Sequence, residues 1–444
     1  MRKLGIAAVL VAAGVIAASG VFAQELKFDG YVNTGIGILS TDAKVLDGTG
    51  PDTKAADIKV VPFGVDSEQA GYRFRLNGSY ASEDGNTGAK FRLQAQSKFT
   101  LGALSIPYAY GWASFFDKVL TVNGGLVDDG TWASGGFFND DAGEGLGTLI
   151  KVSPIGGLNL GVGAYVISAK GGGDNNIIEI PAGEAQAPAS DPVTDFTKID
   201  IGLDRLKYTF NAGYTLPDLF KITLAFRTAN QTGDKTSKYA DSDSEVFAST
   251  ETSKLIFGAQ ILAVKGLTAV VEAEADKLED TGVDKEKDNI DVNIYEALDY
   301  KLGDLAFGLN AVQNIRVEKD VDKDFGLHIN PWVSYALGVI VPRLDLNYYL
   351  AGTATTTPVT SGVTSMSTKY HRKVFAYKDN GDADDVSVFA ARPSVKFNVG
   401  KGTIEIGDLI AYAMGPAGSF ADAADTEKSS SFNNVFYVDF KWSF

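Results

Sequence analysis

The last eleven residues, Asn434-Val435-Phe436-Tyr437-Val438-Asp439-Phe440-Lys441-Trp442-Ser443-Phe444, alternate between two kinds of side chain. One set is apolar and consists of Phe436, Val438, Phe440, Trp442 and Phe444. The intervening set is more polar and consists of Tyr437, Asp439, Lys441 and Ser443. Because successive side chains of a β-strand point to opposite faces, this period of two predicts a strand with one apolar and one polar face.

The same alternation recurs around the turn at 83–86, in 72–80 and again in 91–99. In a water-soluble protein the apolar face would form the core and the charged face would meet solvent. In a transmembrane barrel the apolar face meets lipid and the charged face lines a watery interior. A single hairpin is compatible with both kinds of protein, so the choice between a soluble protein and a barrel depends on the number of strands and on their spacing.

Alternating segments of about ten residues, the length of a tilted strand across a bilayer, follow one another through the chain. Eighteen strands are predicted, at 26–39, 70–81, 88–99, 106–116, 119–127, 145–153, 157–169, 201–214, 219–229, 252–264, 267–276, 290–300, 305–314, 325–337, 343–351, 385–399, 403–414 and 432–444. Short connections alternate with mostly long ones, among them a polar loop at 40–69. The brief connection 100–105 breaks the rule and leaves sixteen strands as the alternative. This regular alternation of short and long connections indicates a barrel with short periplasmic turns and long outer loops.

The terminal strand ending on Phe444, the turn Phe116-Asp117-Lys118 and the segment 153–158 resemble Gram-negative outer-membrane general porins. Spirochaete-type porins are similar in style. The resemblance implies an all-β transmembrane antiparallel barrel of 16–18 strands, formed by a single domain at 24–444. It also implies closure of the last strand on the first, an assembly signal at Phe440, Trp442 and Phe444 for the barrel assembly machinery, and a homotrimer.

Residues 1–23 have the pattern of a secretory signal peptide, with Arg2 and Lys3 before an apolar core and a small-x-small site at Val21-Phe22-Ala23. A transmembrane anchor is the alternative, although the apolar core is short for one. No later stretch of about 18 apolar residues exists, which excludes a helical inner-membrane protein. The chain has no cysteine. These features together predict export to the cell outer membrane.

The formal net charge is −16, and removal of Arg2 and Lys3 would make it −18. Such acidity argues against a nucleic-acid partner. The expected partners are outer-membrane lipid, the assembly machinery and small hydrophilic solutes. The predicted function is a porin with a water-filled channel for passive diffusion of solutes and ions, without any cofactor or bound metal.

In general porins the loop between strands five and six folds into the barrel and narrows it. Here the equivalent constriction loop is 128–144, which carries the acidic residues Asp128, Asp129, Asp140, Asp141 and Glu144 and the aromatic residues Trp132, Phe137 and Phe138. We expect Ala109, Gly111 and Ala113 to give the neighbouring strand a small inner face that leaves room for it. An acidic loop lying outside in solvent is the alternative.

Charged residues of the predicted strands form two sets. The basic wall consists of Arg73, Arg75, Lys90, Arg92, Lys98, Arg205, Lys207, Lys221 and Arg227. The acidic wall consists of Glu272, Glu274, Asp276, Asp291 and Asp299. The resemblance implies a transverse field between the walls; scattered, solvated lumen charges are the alternative. Glu296 and Asp408 fall on apolar faces, which means either a register slip or a position near headgroups or a subunit contact.

Two other functional classes compete with the porin. Hydrolases of the outer membrane use histidine with Ser, Asn or Asp, but His328 and His371, the chain's two histidines, lie in no nucleophile or metal motif. We therefore predict that the protein is not an enzyme. A surface adhesin or sheath protein, binding through loops 170–200 and 352–384, is the alternative to the porin.

Overall fold

The computed structural model describes residues 26–45, 54–62, 72–97, 104–127, 145–166, 206–228, 253–276, 289–318, 324–350, 387–416 and 428–444. Within these ranges the regular structure is β-strand. The strands are β1 (Lys27–Val45), β2 (Lys54–Pro62), β3 (Tyr72–Ala81), β4 (Thr87–Ser97), β5 (Leu104–Phe115), β6 (Leu120–Val127), β7 (Gly145–Ile155), β8 (Leu158–Val166), β9 (Leu206–Leu216), β10 (Phe220–Arg227), β11 (Lys254–Ile261), β12 (Leu267–Asp276), β13 (Asn289–Leu302), β14 (Leu305–Glu318), β15 (Asp324–Tyr335), β16 (Ile340–Leu350), β17 (Ser387–Val399), β18 (Gly402–Pro416) and β19 (Lys428–Ser443).

The strands form one closed antiparallel ring. From β3 to β19 each strand pairs with its neighbour in sequence, and β1 pairs with both β3 and β19. The seam, as we call the β1–β19 pairing, runs from Tyr31 opposite Ser443 to Val45 opposite Ser429. Strands β2 and β3 both lie along the same edge of β1, so the nineteen strands fill eighteen positions. The predicted barrel is confirmed, with the higher of the two strand counts.

The predicted polar loop at 40–69 is wrong. Strand β1 continues to Val45, and β2 pairs with its distal half, Ile36 lying opposite Pro62. Strand β3 then pairs with the proximal half, Thr34 lying opposite Tyr72. The second position of the ring is therefore a single strand interrupted between Pro62 and Tyr72. The physical cause of β2 is its own alternation, with Ile58 and Val60 exposed on the apolar face.

The positions of polar and apolar side chains in the ring are the reverse of those in a water-soluble protein. Large apolar side chains such as Ile36, Phe210 and Phe389 are exposed on its outer face. Charged side chains such as Arg227, Glu272 and Arg392 are buried and point inward. Among the described residues, no helix is long and apolar enough to cross a membrane.

Eight short connections lie at one end of the ring, here called the turn end, and the opposite end is called the loop end. Phe116, Asp117 and Lys118 all have positive φ, which makes a tight reversal from β5 to β6. In the β3–β4 turn, Ser82 Oγ donates a hydrogen bond of 2.6 Å to Asp84, and the Asn86 amide donates one of 2.9 Å. These donors hold the pKa of Asp84 below its usual value because they stabilise the carboxylate.

Aromatic rings lie directly over glycines on adjacent strands. At the seam, Phe444 exchanges backbone hydrogen bonds with Gly30 (3.3 and 3.1 Å) and stacks on Phe74, their ring centroids 6.4 Å apart. A Cβ on Gly402 would lie 2.2 Å from the Trp442 ring. The terminal aromatic residues therefore help to close the ring as well as covering its outer face.

We expect Gly402→Val to destabilise the barrel by about 1–3 kcal/mol, because the side chain would overpack against Trp442. Urea unfolding in detergent micelles, followed by tryptophan fluorescence, measures the loss. Gly124→Val is the matched control, since a Cβ at Gly124 meets nothing within 4 Å. Equal losses from the two variants would contradict the packing explanation.

Candidate functional site: the inner wall

Basic and aromatic side chains share the inner face of β1, β3, β4, β5 and β19 at the turn end. The basic patch is defined as Arg75, Lys90, Arg92 and Lys441. It forms because the polar positions of β3 and β4 align in register, with Arg75 opposite Gln94 and Asn77 opposite Arg92. Antiparallel pairing thus gathers charges that are spread along the sequence onto one surface.

The basic patch is held by amide and aromatic groups. Arg75 Nε donates a hydrogen bond to Gln94. Arg92 Nε donates one of 2.9 Å to Asn77 Oδ1, and its guanidinium lies 4.8 Å from the Tyr108 ring centroid. The Lys441 ammonium lies 4.9 Å from the Tyr31 ring. Lys90 similarly lies 5.9 Å from Trp112. These amide and cation–π contacts hold the cations in position.

The acidic residues lie on β12 and β13, nine positions away from β3 and β4 around the eighteen-position ring. Glu272 and Glu274 are buried on the inner face of β12. Lys254 of β11 forms a 2.8 Å salt bridge with Glu274. Asp299 of β13 accepts a 3.1 Å hydrogen bond from Trp332. Half a ring therefore separates the basic patch from these carboxylates, and Glu274 is compensated locally by Lys254.

Three other predicted basic residues with described side chains lie outside the basic patch. Arg73 lies beside it on β3 and is buried. Lys221 and Arg227 lie on β10, only two positions from β12. The structure thus places basic groups next to the acidic wall as well as opposite it.

Several predicted site residues have no described side chain. Lys98, Arg205 and the whole constriction loop with Asp128, Asp129, Asp140, Asp141 and Glu144 lie outside the described residues. Lys207, Asp276 and Asp291 are placed within β9, β12 and β13, but only their backbone positions are described.

The expected small inner face of the strand at 106–116 is wrong. Ala109 pairs with Phe91 and Tyr110 pairs with Lys90, which places Ala109, Gly111 and Ala113 on the outer face. The inner face of β5 carries Tyr108, Tyr110 and Trp112 instead. Small residues give no hydropathy alternation, and a register shift between Arg92 and Gln94 changes the face along β5.

A second charged cluster was not singled out from the sequence. The charge network, defined as Arg343, Asp345, Arg392, Glu405 and Tyr437, joins the inner faces of β16 to β19. Arg392 lies 2.9 Å from Asp345 and 3.2 Å from Glu405. Tyr437 donates a 2.8 Å hydrogen bond to Glu405. Arg343 makes a bidentate contact with Asp345, at 2.9 and 2.7 Å.

The predicted assembly-signal residues Phe440, Trp442 and Phe444 are all exposed on the outer face. Glu296 and Asp408 also lie on this face, so the register does not slip at either position. Asp408 accepts a 2.8 Å hydrogen bond from Asn434 of β19. The outer face therefore carries carboxylates as well as an apolar surface.

His328 is buried on β15, 3.2 Å from Asn347 and beside Tyr349. His371 lies outside the described residues. Within the described ranges, no three metal-ligating side chains cluster together.

No protein-family model matches the chain, and no curated protein matches it. It is similar to several solved structures. Pseudomonas aeruginosa OccD3 (OpdP) has 9% identity over 95% of this chain and 93% of its own, with a TM-score of 0.46. A triple mutant of Rhodopseudomonas blastica porin has 14% identity over 93% and 100%, with a TM-score of 0.38. The anion-selective porin from Comamonas acidovorans has 13% identity over 93% and 100%, with a TM-score of 0.36.

The fold and the inner wall of this chain define its class, which is a large closed barrel with an apolar outer face.

Proposed function

We propose that the protein is an outer-membrane porin, which forms a water-filled channel for passive diffusion of small hydrophilic solutes and ions. The single observation that carries this proposal is the closed eighteen-position ring with apolar side chains exposed outside and charged side chains inside. A ring of this size is too wide for its own side chains to fill. Its exposed apolar exterior suits lipid, as does the closed hydrogen-bonding pattern.

The inner wall supports a channel role rather than catalysis. Arg92 and Lys90 contact amide and aromatic groups, so their charge is available to attract anions. The opposed carboxylates of β12 and β13 would generate a field across the channel, which would orient dipolar solutes during passage. His328 contacts the Asn347 amide and the Tyr349 ring.

The constriction loop is part of the proposal. Where β6 ends and the loop begins, Val127, Leu149 and Tyr165 form a buried apolar cluster on the inner face, packed against Tyr110. We take 128–144 to fold inward across this cluster, with Trp132, Phe137 and Phe138 as its apolar contacts. Its acidic residues would then face the basic patch across a narrowed channel.

The remaining features follow the resemblance. Residues 1–23 would be removed on export, and Phe440, Trp442 and Phe444 would be read by the barrel assembly machinery. The barrel would then lie in outer-membrane lipid, as a homotrimer.

Single-channel recording of the refolded mature protein in a planar bilayer tests the function. We expect stable, ohmic steps. The double variant Lys90→Glu and Arg92→Glu should shift the reversal potential in a salt gradient towards cation selectivity. The shift should be largest near 0.1 M salt and shrink near 1 M, because the screening length falls from about 10 to about 3 Å.

Glu83→Lys and Lys118→Glu, at exposed turn positions, serve as charge-change controls and should leave the reversal potential nearly unchanged. Silence from protein shown to be folded and inserted would overturn the channel proposal.

A further inference from the structure

Lysine side chains surround the interior at the turn end. Each lies at the first or second inner-facing position of its strand, counted from that end. The lysine collar is defined as Lys90 on β4, Lys151 on β7, Lys221 on β10, Lys301 on β13, Lys396 on β17 and Lys441 on β19. Lys90 and Lys441 also belong to the basic patch, whereas the other members extend the cationic surface to the rest of the ring.

The inward direction of the lysines outside the basic patch follows from their neighbours. Lys151 comes directly after Ile150, which is exposed on the outer face, and Lys301 comes directly before the exposed Leu302. Because successive side chains of a strand point to opposite faces, both lysines point into the ring. The same alternation turns Lys221 inward. None of these lysines is fully buried, so their ammonium groups reach the water inside the mouth.

The collar continues around the whole ring. Counting β2 and β3 as one position, β4, β7, β10 and β13 follow one another at intervals of three positions, and four positions separate β13 from β17. Arg343 on β16 lies within that wider interval. An interval of three strands corresponds to about 15 Å across the sheet. The point midway between two such lysines is therefore about 7 Å from each.

The carboxylates at this height do not form a matching ring. Asp29 and Asp299 each accept a hydrogen bond from a neutral side chain. Glu405 is shared between Lys396, at 3.7 Å, and the buried Arg392, at 3.2 Å. The acidic wall residues of β12 lie deeper, towards the loop end. Cations therefore predominate on the inner wall at the turn end.

Screening determines whether the collar acts as one ring or as separate charges. At 0.1 M salt the screening length is about 10 Å, which exceeds the distance from a lysine to the midpoint of its interval, so neighbouring fields overlap. At 1 M salt it is about 3 Å, and the lysines act separately. The low-dielectric wall of the barrel also concentrates the field inside the mouth.

We propose that the lysine collar makes the turn-end mouth a binding region for multivalent anions, which are solutes with several phosphate or carboxylate groups. The lysines are too far apart to share one small monovalent ion. An anion with several charges gains attraction from each of the overlapping fields, because Coulomb energy is proportional to its charge. The net charge of −16 for the whole chain would suggest the opposite preference.

This inference deepens the proposed function and rests on it where transport is concerned. If solutes pass through the ring, the collar gathers multivalent anions at one end of their path. At this height the positive charges lie on all sides of the channel. Deeper in the ring, by contrast, the proposed field runs from the basic patch to the acidic wall.

Tripolyphosphate is the probe, and its binding to the folded full-length protein in uncharged detergent micelles is measured by titration calorimetry. The triple variant Lys151→Gln, Lys221→Gln and Lys301→Gln removes collar charges outside the basic patch. It should weaken binding about tenfold near 0.1 M salt, because three overlapping attractions are lost. For the unaltered protein, binding should be largely lost at 1 M salt.

The matched control is the triple variant Lys118→Gln, Lys265→Gln and Lys401→Gln, which removes the same charge from exposed turns beyond the mouth. It should weaken binding less than about twofold, because these lysines are surrounded by water. Equal effects of the two triple variants, or no binding by the unaltered protein, would overturn the proposal. If the collar variant does not fold, single substitutions Lys151→Gln and Lys301→Gln, each expected to weaken binding about twofold, decide the question.

Bilayer recording separates this inference from the channel proposal. Tripolyphosphate should reduce the current at a lower concentration from the turn-end side than from the loop-end side. Since the chain has no native cysteine, Asp117→Cys and an impermeant thiol reagent identify the turn-end side. Equal block from both sides would contradict the position of the binding region. Conductance without tripolyphosphate binding would refute the collar alone, whereas binding by an inserted but silent protein would refute the channel alone.

Discussion

Arg392→Met is expected to destabilise the barrel by about 3–5 kcal/mol, because it leaves buried carboxylates without their shared cation. The Arg392 side chain is 1% exposed and bridges Asp345 and Glu405, which are 0% and 5% exposed. Urea unfolding in lipid-like micelles, monitored by the heat-dependent gel mobility of folded barrels, measures the effect.

Lys396→Met is the matched control. Lys396 lies 3.7 Å from the same Glu405, but its side chain is 42% exposed. A pair that is open to water contributes about 1 kcal/mol or less. The combined variant Arg392→Met, Asp345→Asn and Glu405→Gln should recover much of the loss, since it removes the stranded charges as well. Equal losses from Arg392→Met and Lys396→Met would contradict the role given to the buried bridge.

Replacing 63–71 by a single serine is expected to leave a stable barrel. Pro62 pairs with Ile36 and Tyr72 pairs with Thr34, so exactly one residue, Gly35, separates the two partners on β1. One bridging residue therefore joins β2 to β3 as an uninterrupted strand in the existing register. Folding yield and heat-dependent gel mobility should match those of the unaltered protein.

Joining Pro62 directly to Tyr72 is the contrasting variant, and it should fail to form a stable barrel. The one-residue change turns every side chain of β2 to the other face. Ile58 and Val60 would then point inward, and the polar positions of β2 would turn towards lipid, where a charged side chain costs up to about 4 kcal/mol. If both variants folded equally well, β2 would not be a required part of the ring.

Local alternation made much of the fold predictable. In hairpins such as that of β3 and β4, Arg alternates with Phe and Leu along each strand, which shows which face is polar and which is apolar. The regular alternation of short and long connections then indicates a closed ring. Strand β2 was missed although Asp57-Ile58-Lys59-Val60 alternates, because Gly-, Asp- and Lys-rich residues surround it and suggest a loop.

The candidate site was less predictable, because it depends on register between distant strands. The pairing within one hairpin is enough to place Arg92 beside Asn77. Predicting that Arg392 contacts both Asp345 and Glu405 also requires the relative stagger of three strands, which the alternation of residues does not encode. Face assignment also failed where Ala109, Gly111 and Ala113 provide no contrast in hydropathy.

The seam joins the first and the last strand of the ring. Asn33 donates hydrogen bonds of 3.0 and 2.9 Å to Asp439, which lies 406 residues further along the chain. Bringing such distant residues together carries a length-dependent entropy cost of about 5 kcal/mol. Until the final strand has been synthesised, β1 has nothing to pair with at this edge, and an unpaired edge invites association with other chains. The edge of β1 is therefore open to such association until its distant partner strand is available.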